Sequence, residues 1–170
     1  MLHNRTKSIT LLFERNNILY DVENYAYVEG DIMPDESGNA KHQVMDIGQD
    51  GNVDRVTRVL DLAYAECVEF MYPYTKMPSK DGSMLGNDFQ ETSTYVIEMT
   101  VDEGLSQTTI NLISKLVHEY MVCRVLGDWL SITKPERQSN WDNKAENIKN
   151  QIRVRLNARH RRVRRALSPF

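Results

Sequence analysis

The sequence predicts an α+β fold: a helical core of about three helices, two of them long and antiparallel, with a small β element and a basic C-terminal arm. Three observations carry this expectation. Apolar residues recur at three- and four-residue steps over 53–71 and again over 110–130, as helices with a buried face require. Shorter runs rich in β-branched and aromatic residues lie near the N-terminus and at 92–101. The charge is segregated, with seven arginines and no acid in residues 151–170.

In chain order, residues 8–13 and 18–22 read as strands parted by a turn at Asn16 and Asn17, and 25–28 continues the second. Pro34, Gly38 and Asn39 mark a loop. Residues 42–47 read as another short strand, which makes 1–47 a β-rich part. The first helix begins at Asn52 as N-cap, with Asp54 in its first turn facing the positive end of the helix dipole. Its apolar face runs through Val53, Val56, Val59, Leu60, Ala63, Cys67, Phe70 and Met71, and Pro73 stops it. An inserted loop over 73–91 carries Pro78, Gly82 and Gly86. The strand over 92–101 sends Tyr95, Ile97 and Met99 to one side and Val96, Glu98 and Thr100 to the other.

Ser106 caps the second helix, whose stretch 110–130 is apolar on most sides and therefore central. Thr133, Lys134, Pro135 and Glu136 form a capping box with proline in the first turn, which opens a third helix. That helix has only a narrow stripe, Trp141, Ala145, Ile148 and Ile152, so most of its surface is expected to meet water or another subunit. A short loop between the last two helices makes them an antiparallel pair. The organisation expected is one domain over 1–150, with its helical part at 52–150, followed by a helix end and arm over 151–170.

Composition narrows the function. With 41% hydrophobic residues a packed core is affordable, and no run of about eighteen apolar residues predicts a membrane-spanning helix. The first residues lack the apolar stretch and cleavage site of a signal peptide. Cys67 and Cys123 lie among apolar residues at helical spacing and read as buried thiols of a reducing compartment; a disulfide or a metal pair is the alternative. All 24 acids and fourteen of the 21 basic residues precede position 151, so the body carries −10 and the last twenty residues +7.

Tests for chemistry fail one by one. His118-Glu119 resembles the start of a zinc-protease helix, but the second histidine that would complete it is Val122. Asp46 to Gly51 resembles the opening of a calcium loop, yet Gly48 and Thr57 stand where oxygen ligands are needed. Glu66, Glu69, Glu119 and Asp128 lack the Glu-x-x-His pairs of a di-iron bundle. There is no phosphate-cradling glycine loop and no nucleophile elbow. A non-enzymatic protein is expected, with no cofactor and no metal.

The arm is the informative constellation. Arg153 and Arg155 alternate with apolar residues as a helix end, where positive charge is favoured by the dipole. Arg159, Arg161, Arg162, Arg164 and Arg165 follow, guanidinium being the better fork for carboxylates and phosphates. Leu167 and Phe170 then give the chain an apolar, proline-stiffened end. A solvated tail is the plain alternative; a docking peptide, with arginines for charge pairing and Phe170 as anchor, accounts for more of its residues.

The helix end Glu-Tyr-x-Val-Cys-Arg-Val-Leu-x-Asp-Trp-Leu-Ser-Ile-Thr over 119–133, the capping box after it and the terminus Arg-Arg-Val-Arg-Arg-x-Leu-Ser-Pro-Phe over 161–170 resemble proteins of Bacteroides phages and prophages, the crAss-like group among them. The functional class resembled is the head–tail connector, or adaptor, of tailed bacteriophages. That resemblance implies a structural virion protein forming a homo-oligomeric ring, twelve-fold in that family, at the head–tail junction. It implies the portal protein and other neck or tail proteins as partners, with the arm docking on the portal. DNA would pass through the channel without specific binding, no membrane would be involved, and assembly would occur in the bacterial host cytoplasm. The resemblance covers the last third of the chain and, more loosely, the middle helix; the β-rich N-terminal third departs from the all-helical adaptor. The alternative function is a non-specific nucleic-acid binder that uses the arm as an electrostatic clamp.

Overall fold

The computed structural model describes residues 5–78, 81, 82, 85, 86, 89 and 91–158. The most apolar stretch of the sequence sits at its centre. Helix α4, Gln107–Thr133, buries Val117, Met121, Val122, Cys123, Leu126 and Leu130 on several sides at once. Four helices surround it: α5 (Pro135–Leu156), α3 (Asp50–Phe70), α1 (Arg15–Asp31) and the short α2 (Asn39–Met45). Strand β1, Thr6–Glu14, pairs antiparallel with β2, Thr94–Asp102, in an unbroken register from Thr6↔Asp102 to Glu14↔Thr94. Leu11, Phe13, Tyr95, Ile97, Met99 and Val101 turn one face of this two-stranded sheet into the core. The expected α+β architecture is what the chain adopts.

Several local expectations hold. Ser106 caps α4, its Oγ accepting from the Thr109 N–H at 3.1 Å. The face of α3 that carries Val56, Val59, Leu60, Ala63, Cys67 and Phe70 is buried, and so is the stripe Trp141, Ala145, Ile148 and Ile152 of α5. β2 alternates as its side-chain pattern requires.

Other expectations are corrected. Residues 18–22 and 25–28 are not strands but the middle of α1, and Asn16 and Asn17 lie in its first turn. Ile18, Val22 and Ala26 recur every fourth residue and are buried, whereas Tyr20, Tyr27 and Val28 are exposed on the other side. Apolar residues on both faces mask the helical period and leave β propensity as the stronger local signal. Residues 42–47 form the end of α2 and a 3-10 turn, Asp46–Gly48, with Val44 and Ile47 buried. The N-terminal third therefore holds a single strand among the described residues, and its partner is distant in sequence.

Helix starts also shift. α3 begins at Asp50 with Gln49 as N-cap, so Asp50 takes the first-turn place; the Asn52 amide instead donates to the Asp46 carbonyl at 2.8 Å. Pro135 does open α5, but the capping box is not made. The Thr133 hydroxyl donates back to the Trp129 carbonyl at 3.0 Å, because α4 continues helically through Thr133 and only Lys134 separates the two helices.

A buried carboxylate ties the layers. Glu29 of α1, only 5% exposed, accepts from Arg137 Nε and Nη2 at 2.9 Å each and from Trp141 Nε1 at 3.1 Å. Burial alone would raise its pKa; the hydrogen bonds from Arg137 and Trp141 overcome that and hold it below the ordinary carboxylate value. A depressed carboxylate stabilises the fold above its unfolded pKa of about 4.3, and that contribution is lost as pH falls through the folded value. Glu29→Ala is expected to cost about 2–4 kcal/mol in urea unfolding at pH 7, with the difference from the parent protein shrinking as pH falls through the lowered Glu29 pKa.

Candidate functional site

The described part of the arm starts from a fixed point. Leu156 and Ile152 are buried, and the Tyr74 hydroxyl donates to the Leu156 carbonyl at 2.8 Å, also lying 3.1 Å from Asn157 Oδ1. The last carbonyls of α5 are thus satisfied in part by a side chain from beyond α3. Arg153 lies over the Phe70 ring at 6.0 Å, and Arg155 donates to the Gln151 carbonyl one turn back. Both sit in the last turn, where the helix dipole favours cations. Arg159, Arg161, Arg162, Arg164, Arg165, Leu167 and Phe170 lie outside the described residues.

Two open grooves flank the helical core. The larger, about 660 Å³, runs between α3, α4 and α5 and is lined by Glu66, Glu69, Phe70, Tyr120, Arg124 and Arg153 among others. Its centre is a built ion pair. Glu66 accepts from Arg124 Nε at 2.8 Å, from Arg124 Nη2 at 3.0 Å and from the Tyr120 hydroxyl at 2.8 Å. Asp142 Oδ1 stands 3.7 Å from the same guanidinium. The Arg124 fork holds the Glu66 carboxyl below its usual range against the opposing effect of burial, and Tyr120 helps. Burial, then the Glu66 carboxylate, raises the Tyr120 phenol.

The second groove, about 530 Å³, lies between β1, α1 and α4, and is lined by Leu12, Glu14, Asn17, Asp21, Lys115 and His118 among others. His118 Nε2 is 2.7 Å from Asp21 Oδ2. Next to it, Glu119 accepts from Lys144 and from the Tyr25 hydroxyl, and Lys144 stands 5.0 Å from both the Tyr25 and Trp141 rings.

The carboxylates considered as a metal set are therefore dispersed. Glu66 is held by Arg124, Glu119 by Lys144 and Asp128 by Arg55. Among the described residues no group of three His, Cys, Asp or Glu side chains is placed to hold a metal ion. Cys67 and Cys123 are free, buried thiols; burial pushes Cys123 up to about 12 and Cys67 well above the ordinary thiol value, which keeps both protonated. No described helix is long and apolar enough to cross a membrane.

Sequence reasoning missed the Glu66–Tyr120–Arg124 cluster. The signal was present: Tyr120 and Arg124 stand four apart on α4 and so share a face, and a polar pair on a mostly apolar helix calls for a partner. Which helix would supply it was a question of packing. Comparison with known protein families, with curated proteins and with solved structures finds no match for the chain. Glu66→Gln is expected to destabilise the protein by about 1–2 kcal/mol at neutral pH, as one charge-assisted fork is lost. The loss is expected to fade as pH falls through the lowered Glu66 pKa, where the parent carboxyl itself takes up its proton, and a series of thermal melts across pH checks it.

Proposed function

We propose that the chain is a structural subunit of a phage head–tail junction, assembling as a homo-oligomeric ring and docking to the portal protein through its C-terminal arm. The observation that carries the reading is charge segregation on a rigid mount: a body of −10, then an arginine arm of +7 that leaves from an anchored helix end. A net-negative body suits a ring through which DNA must slide, because a basic lumen would grip phosphates and release them only with salt. The arm then belongs outside the channel, against acidic protein. In the body, Glu66, Glu119 and Asp21 of the two grooves are engaged by Arg124, Lys144 and His118, which favours a structural over a catalytic role. The family-level part of the reading rests on the resemblance of 119–133 and 161–170 to proteins of Bacteroides phages and prophages, with the connector as the functional class proposed from it.

The test has two arms. The purified chain is expected to give rings by electron microscopy and to capture the portal protein of its own phage. Reversing Arg161, Arg162, Arg164 and Arg165 to glutamate is expected to weaken capture at least tenfold while the melting temperature stays within a few degrees. Unchanged capture would remove the docking role. Tight binding to naked duplex DNA that falls steeply between 50 and 200 mM salt, about 10³-fold or more, would instead support an electrostatic clamp.

A further inference from the structure

We infer that the outer edge of β1 is a strand-acceptor site, and that its occupant is the arginine segment 159–166 of the neighbouring copy in the ring. The inference rests on the ring reading above. It leaves Leu167 to Phe170, and the outward face of the added strand, to meet the portal.

The two edges of the sheet differ. The edge of β2 is closed: the Thr100 N–H donates to the Tyr74 carbonyl at 2.8 Å, and the Tyr64 hydroxyl donates to the Val96 carbonyl at 2.6 Å. Those bonds show that the backbone groups of Thr100 and Val96 point away from β1. In an antiparallel ladder, a residue whose groups point outward faces a partner whose groups also point outward. The partners in register are Ser8 and Leu12, with Thr10 between them in the same phase. The N–H and C=O groups of Ser8, Thr10 and Leu12 therefore face outward on the other edge, and among the described residues they have no hydrogen-bond partner.

Among the described residues nothing blunts this edge. Lysine, proline or a bulge normally protects such a strand from pairing. Here the outward phase reads Thr6, Ser8, Thr10, Leu12 and Glu14, the register has no bulge, and Leu12 is 63% exposed. Lys7, the one lysine of the strand, points to the other face and donates to the Leu105 carbonyl. At the Leu12–Glu14 end of the strand lies the 530 Å³ groove, which exposes the Glu14 carboxylate and, bonded to His118, that of Asp21.

The arm suits the edge in chemistry, length and direction. Residues 159–168 contain no proline and no acid, so each backbone N–H is available and the charge is complementary to the acidic body. As a strand, the segment would set Arg161, Val163 and Arg165 on one face and Arg162, Arg164 and Ala166 on the other. The eight residues 159–166 extend to about 26 Å, close to the roughly 30 Å of a nine-residue strand. The root of the arm is held by Tyr74, whose carbonyl also takes the Thr100 N–H on the β2 edge. Donor and acceptor thus lie on opposite edges of one sheet. That is the head-to-tail arrangement from which rings close, whereas reaching its own β1 would spend the arm on crossing the sheet.

The test uses the full chain. Ser8→Cys, Thr10→Cys and Leu12→Cys are each combined with Val163→Cys and oxidised; Cys67 and Cys123 are buried and give no background. A ladder of covalent multimers from at least one pairing, with rings intact, is the expected result. Thr10→Pro removes an N–H that no bond within the described chain uses, and is expected to lower ring assembly at least tenfold with an unchanged circular dichroism spectrum. Rings without a ladder in any pairing overturn the inference and leave the ring reading standing. Cross-links confined to single chains overturn the neighbouring copy as occupant. Parent protein that forms neither rings nor ladders overturns both.

Discussion

Helix α4 has almost no side that water can reach over its second half, and the other elements are placed by the need to cover it. α5 folds back along it after a single residue, Lys134, and supplies the stripe from Trp141 to Leu156. α3 and α1 cover further sides, and α2 closes the end near Trp129, whose indole N–H donates to the Val44 carbonyl at 3.0 Å. Burying so many large side chains on one helix stabilises the fold by roughly 1.5–3 kcal/mol for each of them. It also prohibits loose ends, since any covering helix that detached would expose apolar surface.

Polar ties fix how the covering helices are rotated. Each long helix that touches α4 or α5 does so with at least one specific polar pair: Asp21 with His118, Glu29 with Arg137, Glu66 with Arg124, Glu119 with Lys144. Apolar contacts are non-directional, so they fill space without selecting one rotation of a helix about its axis. A bidentate arginine fork such as Arg137 on Glu29 does select one.

How much of this was legible in the sequence depended on whether local pattern and tertiary role agreed. α3, β2 and α4 carry one-sided or continuous apolar patterns, and Ser106 is a cap whose effect is local, so all were readable. α1 was not, because Tyr20, Tyr27 and Val28 face outward and flatten the contrast that would reveal a helical period. The capping box at Thr133 failed for a different reason. Its residues were right, but the preceding helix ran one turn further and took Thr133 for itself. The pairing of β1 with β2 spans most of the chain, and only the alternation of the strands hinted at it. At the candidate site, Arg153 and Arg155 are where their helix-end setting placed them; the Glu66–Arg124 fork and the open β1 edge depend on which elements become neighbours.

Tyr74 has a mechanical consequence. Its hydroxyl grips the end of α5 while its carbonyl grips the rim of the sheet, two bonds from one residue set just after α3. Tension applied along the C-terminal segment is therefore shared at once between helix and sheet, and does not fray α5 turn by turn from its tip. The residue acts as a strain relief, like the clamp where a cable enters its housing.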